Sequence, residues 1–502
     1  MKLVMLMIIL LWGCVPKKKL PLDNLRKSIF KIHVNSSEPR FAQPWLMTAS
    51  ARSTGSGFYI GDSRIMTNAH VVSHGKYITV QRDGQAEPMA AYVEYIAHDN
   101  DLAILRVDDE KLFSESMVLK FGDLPSLRDE VATVGYPRGG EQISVTEGVV
   151  SRVSYRRYAH PGYDRHLLIQ VDSAINPGNS GGPVFKDDRV IGVAFQSHTK
   201  AENTGYIIPT VVVERFLKDI ADGQYDGHPK KGIVVASGAM ENEGTRAFHG
   251  LESAKGVKIV EVTRYSPFAN YLLPGDVLLS LQGMDIGVDG KLDYFNERID
   301  FNVLIDLALN GDVLRFELVR DGAQKTLDVP LKKSGVHYNR SNIFTQRPRF
   351  FIHGGLVFTA LSRDYLKVWG GRWYYDAPLM MKYLHRYSHI EPRFQQLKDI
   401  VVLAGVLPDR INIDASQFRE SILDSIDGVE VKSLEELKVQ LLEKPNEIVR
   451  FKFWNESLPL LLDRKSLQEA HEGLLKRYNV GVSEWLGDEK DDGAVKFEGR
   501  HD

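Results

Sequence analysis

The feature that most restricts the fold is a succession of short apolar segments separated by turn residues, between residues 25 and 216. Examples are GSGFYI, DLAILRV and RVIGVAF, each bounded by Gly, Asp, Asn or Pro. Many short strands with frequent turn signals are typical of an all-β barrel or sandwich. The helical spacing of PTVVVERFLKDIAD closes the region, and GQYDGHPKKG then has the composition of a linker.

Length and composition limit the classes of protein that remain. A chain of 502 residues exceeds what one hydrophobic core usually organises, so about two to four domains are expected. Apolar residues make up 43% and charged residues 26%, with a net charge of −3, which is typical of a globular protein. The sequence contains no long basic stripe, so nucleic-acid binding is not expected. No HExxH, paired CxxC or Walker-type glycine loop predicts a metal or nucleotide cofactor.

The N-terminus has the pattern of a secretion signal. An apolar run from Leu3 to Trp12 follows MK and is too short for a transmembrane helix. The sequence LWGC resembles a bacterial lipobox, which predicts removal of residues 1–13, lipidation of Cys14 and a tether over residues 14–24. The alternatives are an ordinary signal peptide and a buried N-terminal cysteine. Cys14 is the only cysteine, so no intrachain disulfide is possible.

Two further regions follow the β-rich one, and they partly repeat each other. In each, a hairpin precedes a helix and then a strand, which indicates a diverged internal repeat at about residues 228–334 and 345–465. The first contains the helical pattern DFNVLIDLALNG, with Gly311 expected at its C-cap. Residues 466–502 are predicted to form a C-terminal helix and a disordered acidic tail.

One serine in the β-rich region has the surroundings of a nucleophile. Ser180 lies in NPGNSGGP, where small neighbours allow a substrate carbonyl to approach. A serine hydroxyl needs a base to take its proton, and His70 follows an apolar strand in MTNAHVV. An aspartate must orient that imidazole, and Asp101 opens the strand DLAILRV.

Each of these residues also has a structural interpretation. His70 could be a hydrogen-bonded core histidine, Asp101 could cap a turn, and the glycines around Ser180 could serve a tight turn alone. Asp99 lies close to Asp101 in the sequence and is the competing carboxylate. Three such segments in one β-rich region, in the order His, Asp, Ser, favour the catalytic interpretation.

The segments TNAHVV, DNDLAIL, INPGNSGGPVF and NTGYIIPTVVVERFL resemble the active-site and closing segments of the Do-like (HtrA, Deg) serine proteases. The resemblance implies a mainly β chain with a chymotrypsin-like double β-barrel at residues 25–222. Two PDZ-like α+β domains would follow, a regular one at residues 228–334 and a degenerate one at residues 345–465. In the first, PGDVLLSLQGMDI resembles a PDZ hairpin.

The same resemblance assigns roles around the serine. The backbone N–H groups of Gly178 and Ser180 would form the oxyanion hole. Ile175 and Phe195 would line the primary specificity pocket, with plain core packing as the alternative. No acidic residue precedes Ser180 closely except Asp172, so a small or medium apolar residue is the expected preference.

In the first PDZ-like domain the resemblance implies a peptide-receiving strand edge formed by Gly232, Ile233, Val234 and Val235. Its backbone would bind the carboxylate of a C-terminal peptide, and the helix around residues 301–309 would form the opposite wall. The alternative is an ordinary core strand, because KKGIVVAS departs from the usual loop pattern.

Together these features predict an ATP-independent serine endopeptidase that degrades misfolded or unfolded extracytoplasmic proteins. The expected location is the bacterial periplasm or cell envelope, with a lipid anchor in the membrane. The resemblance implies a homo-oligomer, a trimer or a multiple of trimers. Two alternatives remain: a PDZ-bearing chaperone or scaffold with a latent or regulated protease site, and a processing protease with one dedicated substrate.

Overall fold

The computed structural model describes residues 25–137, 140, 142–173, 175–197, 204–229, 231–263, 266–332, 341–344, 347–388, 391–394, 396–444 and 446–487, without the side chains at 196, 197 and 392. Cys14, the apolar N-terminal run and the acidic tail beyond residue 487 lie outside these ranges. Within them, no helix combines the length and the apolarity that crossing a bilayer requires.

The first barrel is a closed antiparallel sheet in the order β1-β2-β3-β6-β5-β4. A tight turn at Asp62 and Ser63, both with positive φ, joins β2 to β3. One helical turn, α1 (Ala69–Val72), follows β3. The strands are β1 (Ile29–Ser36), β2 (Ala51–Gly61), β3 (Arg64–Thr67), β4 (Gly75–Arg82), β5 (Met89–Ala97) and β6 (Leu102–Arg106).

The second barrel closes in the order β10-β11-β12-β9-β8-β7, and helix α2 (Thr210–Asp219) follows it. Two closed six-stranded barrels confirm the predicted double-barrel fold class. Helix α1 belongs to the first barrel, and the turn before β10 belongs to the second. The strands are β7 (Glu130–Gly135), β8 (Ser144–Arg157), β9 (Arg165–Val171), β10 (Pro183–Lys186), β11 (Arg189–Ser197) and β12 (Gly205–Pro209).

Part of the segment predicted to be a linker, residues 223–229, is anchored on the protease domain. The Tyr225 hydroxyl donates to Asp99 at 2.5 Å, and His228 is only 8% exposed. Nε2 of His228 lies 3.1 Å from the side-chain amide of Asn100. Aromatic rings in this polar stretch find partners on the β5–β6 turn, which local composition does not reveal.

The first PDZ-like module is a sheet in the order β13-β14-β15-β19-β20, with β16 paired to β15 and a separate β17–β18 ribbon. Its helix α4 ends at Leu307, so Gly311 is not its C-cap as predicted. Gly311 instead has a φ of +100° in the next turn and donates to the Leu331 carbonyl. The elements are β13 (Ile233–Ala236), α3 (Glu243–Phe248), β14 (Val257–Val262), β15 (Val277–Leu281), β16 (Met284–Asp285), β17 (Lys291–Tyr294), β18 (Glu297–Asp300), α4 (Asn302–Leu307), β19 (Val313–Arg320) and β20 (Ala323–Pro330).

The second module is built on a sheet in the order β27-β26-β24-β23-β22-β21-β28, with β25 paired to β24. The order β24, β25, α8, β26 corresponds to β15, β16, α4, β19 of the first module, as the internal repeat predicted. The elements are β21 (Phe350–His353), β22 (Leu356–Ala360), α5 (Arg363–Leu366), α6 (Trp373–Asp376), α7 (Leu379–Tyr387), β23 (Val401–Val406), β24 (Ser421–Ile426), β25 (Val429–Glu430), α8 (Leu434–Leu442), β26 (Ile448–Phe453), β27 (Leu460–Asp463), α9 (Arg464–Arg477) and β28 (Glu484–Trp485).

The C-terminal helix belongs to this second module, and does not follow it as a separate element. Leu467 of α9 is 1% exposed and packs in the same core as Leu356 and Leu403. Strand β28 then pairs with β21 at the edge of the sheet. The module therefore continues past the predicted boundary at residue 465, because the apolar face of α9 covers its sheet.

Candidate active site

The His70 ring is fixed by a buried carboxylate. Oδ2 of Asp101 lies 2.7 Å from Nδ1 of His70, and Oδ1 accepts the backbone N–H of His70 at 2.7 Å. Asp101 is fully buried, whereas the His70 side chain is 34% exposed. Asn68 donates to the Asp101 carbonyl at 3.0 Å and supports a backbone with a φ of +57°. The contact leaves Nδ1 as the donor and Nε2 free to accept a proton.

The electrostatics of this pair favour the protonated imidazole. Burial lowers the pKa of His70, but the charge of Asp101 and its hydrogen bond together raise that pKa above its ordinary value. A more basic imidazole is a better acceptor for a hydroxyl proton. Asp101 therefore both orients the His70 ring and stabilises its charged form.

The competing carboxylate, Asp99, points elsewhere. Its oxygens accept the Tyr225 hydroxyl at 2.5 Å and the backbone N–H of His228 at 3.2 Å. Asp99 thus anchors the segment after the protease domain, and Asp101 is the carboxylate that contacts His70.

Ser180 lies in the turn between β9 and β10, held closely against strand β2 of the other barrel. Gly181 has a φ of +84°, and a Cβ there would lie 2.1 Å from the Ser56 carbonyl oxygen. Only glycine tolerates both this backbone conformation and this approach. The glycine after Ser180 therefore brings the serine turn of the second barrel against the first.

Ser56 contacts the serine turn from strand β2, and sequence reasoning missed it. Its N–H donates to the Ser180 carbonyl at 2.9 Å, and its hydroxyl donates to the Gly178 carbonyl at 2.7 Å. The hydroxyl also accepts the Tyr136 N–H at 2.8 Å, while Thr67 donates to the Ser56 carbonyl at 2.7 Å. The available signal was a serine between two glycines inside an apolar strand.

The backbone around Ser180 leaves two donors available. Among the described residues, neither the N–H of Gly178 nor that of Ser180 donates a hydrogen bond to the protein. Gly178 has a φ of +104°, which favours glycine. Two N–H groups in this turn can bind a developing oxyanion.

The Ser180 hydroxyl is bonded to a backbone carbonyl. It donates to the Phe195 carbonyl at 3.2 Å, and no hydrogen bond joins it to His70 in the described part of the chain. Attack on a carbonyl requires the hydroxyl to leave Phe195 and bond to the imidazole.

The two predicted pocket residues are both buried in the core of the second barrel. Ile175 is 4% exposed, and Phe195 is 2% exposed, with its ring 4.6 Å from that of Tyr158. This burial agrees with the alternative interpretation, in which Ile175 and Phe195 are ordinary core residues. The backbone of Phe195 nevertheless reaches Ser180, so their contribution to specificity stays a prediction.

The predicted peptide-receiving segment lies at a sheet edge. Among the described strands, β13 pairs with β14 alone, and Val234 is 46% exposed, whereas Ile233 and Val235 are partly buried. A Cβ at Gly232 would lie 2.2 Å from Thr263 Oγ1, so a substitution there disturbs the module itself.

A buried ionic cluster joins the protease domain to the first PDZ-like module. Asp306 of α4 is fully buried, 2.9 Å from Nδ1 of His166 in β9 and 2.6 Å from Nζ of Lys231. The His228 ring completes the group. His166, His228 and Lys231 hold the pKa of Asp306 well below its ordinary value although burial opposes this. The Lys231 ammonium supplies the positive charge that a metal would bring, so the cluster fits an ionic lock.

Comparisons with known proteins agree with this geometry. A model of the trypsin-like peptidase domain matches residues 55–193, and a PDZ domain model matches residues 340–484, which cover most of the second module and the short segment before it. Protease Do-like 2, chloroplastic, from Arabidopsis thaliana is 34% identical over 458 residues, which are 90% of this chain and 74% of the relative. The chain belongs to the Do-like serine proteases.

Other Do-like proteins are similar over comparable lengths. Putative protease Do-like 3, mitochondrial, from Arabidopsis thaliana is 33% identical over 93% of this chain and 81% of its own length. A solved structure of the HtrA-type protease AlgW with tripeptide is 24% identical over 62% of this chain and 95% of its own, with a TM-score of 0.48. The two matching domain models and the Do-like relatives show that this chain is a serine endopeptidase with a PDZ domain.

Proposed function

We propose that this Do-like protease degrades misfolded or unfolded extracytoplasmic proteins without ATP. Ser180 attacks the peptide carbonyl, His70 takes its proton and returns it to the leaving amine, and Asp101 orients His70. The N–H groups of Gly178 and Ser180 stabilise the tetrahedral oxyanion. Water then hydrolyses the acyl-enzyme by the same steps.

The observation that carries this proposal is the double contact of the Asp101 carboxylate with His70. Both oxygens engage the same histidine at 2.7 Å, on a fully buried aspartate. A buried charge is retained only where it is paired. A carboxylate that fixes one imidazole tautomer beside a serine turn fits acyl transfer better than a structural role.

The test is cleavage of an unfolded protein such as casein, with no nucleotide present. Ser180→Ala should lower kcat by about 10⁵- to 10⁶-fold while the fold is retained. Ser173→Ala is the matched control, since Ser173 is 2% exposed and its hydroxyl has no partner among the described residues. Near-normal turnover by folded Ser180→Ala protein would refute the assignment. Cleavage of only one native substrate, and not of casein, would favour the dedicated processing protease.

A second candidate, a chaperone or scaffold with a regulated protease site, is favoured by the Ser180 hydroxyl. This hydroxyl bonds to the Phe195 carbonyl and not to His70. A holding function would suppress aggregation of an unfolded client equally well in Ser180→Ala protein. If Ser180→Ala protein loses the suppression of aggregation as well as proteolysis, the chaperone function is excluded.

We also propose the surroundings in which the protease acts. Lipidation of Cys14 would anchor it at the cell envelope, in the periplasm of a bacterium. Mass spectrometry of the mature N-terminus tests this, because cleavage elsewhere would leave no anchor. The edge of β13 would bind C-terminal peptides, and the assembly would be a trimer or a multiple of trimers.

A further inference from the structure

A short segment between the two PDZ-like modules lies along the protease domain. The backbone N–H of Asn342 donates to the Pro161 carbonyl at 3.0 Å, and its side-chain amide donates to the His160 carbonyl at 2.7 Å. The Ser341 hydroxyl donates to Asp164. Residues 341–344, here called the strap, thus follow the loop between β8 and β9.

The strap ends in an aromatic side chain enclosed by histidines. The Phe344 ring stacks on His160 with centroids 3.8 Å apart and planes 15° apart. It also stacks on His98 at 4.8 Å and lies 5.9 Å from His74. Nδ1 of His98 is 2.9 Å from Nε2 of His160, so the two rings hold each other in place. These three histidines form what we call the histidine pocket.

The histidine pocket has the character of an apolar aromatic site. Burial lowers the pKa of His98 to about 3, and it also lowers the pKa values of His160 and His74. The three rings are therefore neutral near pH 7. Neutral stacked rings bind an aromatic side chain through face and edge contacts rather than through charge.

The pocket adjoins the candidate active site. The His160 ring centroid is 6.2 Å from that of His70. An extended peptide rises about 3.3 Å per residue, so this separation corresponds to about two residues. A substrate with its scissile bond at Ser180 would therefore place a nearby side chain at this pocket.

The second module holds the strap from its other side. The backbone N–H of Ile343 donates to Asp364. Nζ of Lys367 is 2.7 Å from Asp364 Oδ1 and 5.9 Å from the centroid of the Phe344 ring. A movement of the second module away from the protease domain would thus withdraw Phe344.

We propose that the histidine pocket binds an aromatic side chain of the peptide substrate, close to the scissile bond, and that Phe344 occupies it as an intramolecular competitor. This rests on the proposed function only in placing the substrate beside His70. The apparent affinity for substrate then equals the intrinsic affinity multiplied by the fraction of molecules in which Phe344 has left the pocket.

Binding tests the pocket without catalysis. A fluorescent peptide RSNIFTQ, the sequence of residues 340–346, is titrated into Ser180→Ala protein with and without Phe344→Ala. We expect about 10-fold tighter binding with Phe344→Ala, since each lost ring contact contributes roughly 2- to 10-fold. Phe248→Ala removes an 81% exposed ring and should change nothing. Equal affinity with and without Phe344→Ala, or equal binding of a peptide with Ala in place of Phe, would overturn the proposal.

Two further measurements separate this proposal from the proposed function. Asn342→Ala removes one strap contact, leaves the pocket intact and should also strengthen peptide binding; unchanged binding of this folded variant counts against the strap. A small organophosphate should label Ser180 equally in wild-type and Phe344→Ala protein. Absence of labelling would refute the nucleophile, while peptide binding still decides the pocket.

Discussion

Replacing Ser56 by alanine should reduce both stability and turnover, because its hydroxyl joins the two barrels at the serine turn. The change removes a donor 2.7 Å from the Gly178 carbonyl and an acceptor 2.8 Å from the Tyr136 N–H. Ser56 is fully buried, so water cannot replace it readily. Each orphaned buried group costs about 1–3 kcal/mol, which gives a destabilisation of about 2–6 kcal/mol.

The effect on turnover follows from the Gly178 peptide. Without the Ser56 hydroxyl its carbonyl loses the partner that fixes the orientation of the turn, and the neighbouring N–H donors lose their alignment. Loss of one oxyanion donor typically lowers kcat by about 10²- to 10³-fold. We therefore expect kcat to fall by up to this factor with KM nearly unchanged.

The assay compares urea unfolding and peptide hydrolysis of Ser56→Ala and Thr133→Val. Thr133 is a buried hydroxyl residue of the neighbouring strand β7, and its Oγ1 has no partner among the described residues. Removing the Thr133 hydroxyl should change the free energy of unfolding and kcat only slightly, as a conservative substitution usually does. If the two variants lose stability and kcat equally, or if Ser56→Ala keeps wild-type kcat, the positioning role of Ser56 is wrong.

Four further predictions concern charge and binding. Because the pKa of His70 is raised, kcat/KM should fall as the pH drops through the pKa of His70, which lies above about 6.5. Replacing Asp101 by asparagine should lower kcat/KM by about 10⁴-fold, whereas Asp99→Asn should not. Asp306→Asn should destabilise the full chain by about 3–5 kcal/mol at pH 7 in urea unfolding, whereas Asp289→Asn, at a 44% exposed side chain, should not. Peptides with a free apolar C-terminus should bind the chain in fluorescence titrations, and C-terminal amidation should weaken them; equal binding would leave β13 an ordinary edge strand.

The sequence predicts those site residues whose surroundings are set by their immediate neighbours in the chain. His70, Asp101 and Ser180 each lie in a short segment whose turn chemistry and neighbours indicate their environment. Ser56 contacts Gly178 across 122 positions of the chain, so its role follows from the closure of two barrels and not from its own segment.

The same argument explains the misses outside the site. The buried Asp306 contacts His166 across 140 positions, and Phe344 reaches His98 from beyond the whole first module. The polar composition of residues 223–232 predicted a linker, because Tyr225 and His228 find their partners only in the folded protein. Gly311 did not predict the end of α4 at Leu307, where distant residues bond to the backbone: the carbonyls of Asp306 and Ala308 contact His228 and Arg215.

The shared core has a consequence for how the chain can be divided. One continuous apolar cluster runs from Leu25 through Phe195 and Phe216 to Phe316, and a separate cluster around Phe30 fills the first barrel. The second module has clusters of its own, one of them around Leu356. The second barrel and the first module should therefore melt as one cooperative unit in calorimetry. Cutting the chain at residue 222 would expose apolar surface of this unit. Removing the second module would leave the core of this unit whole.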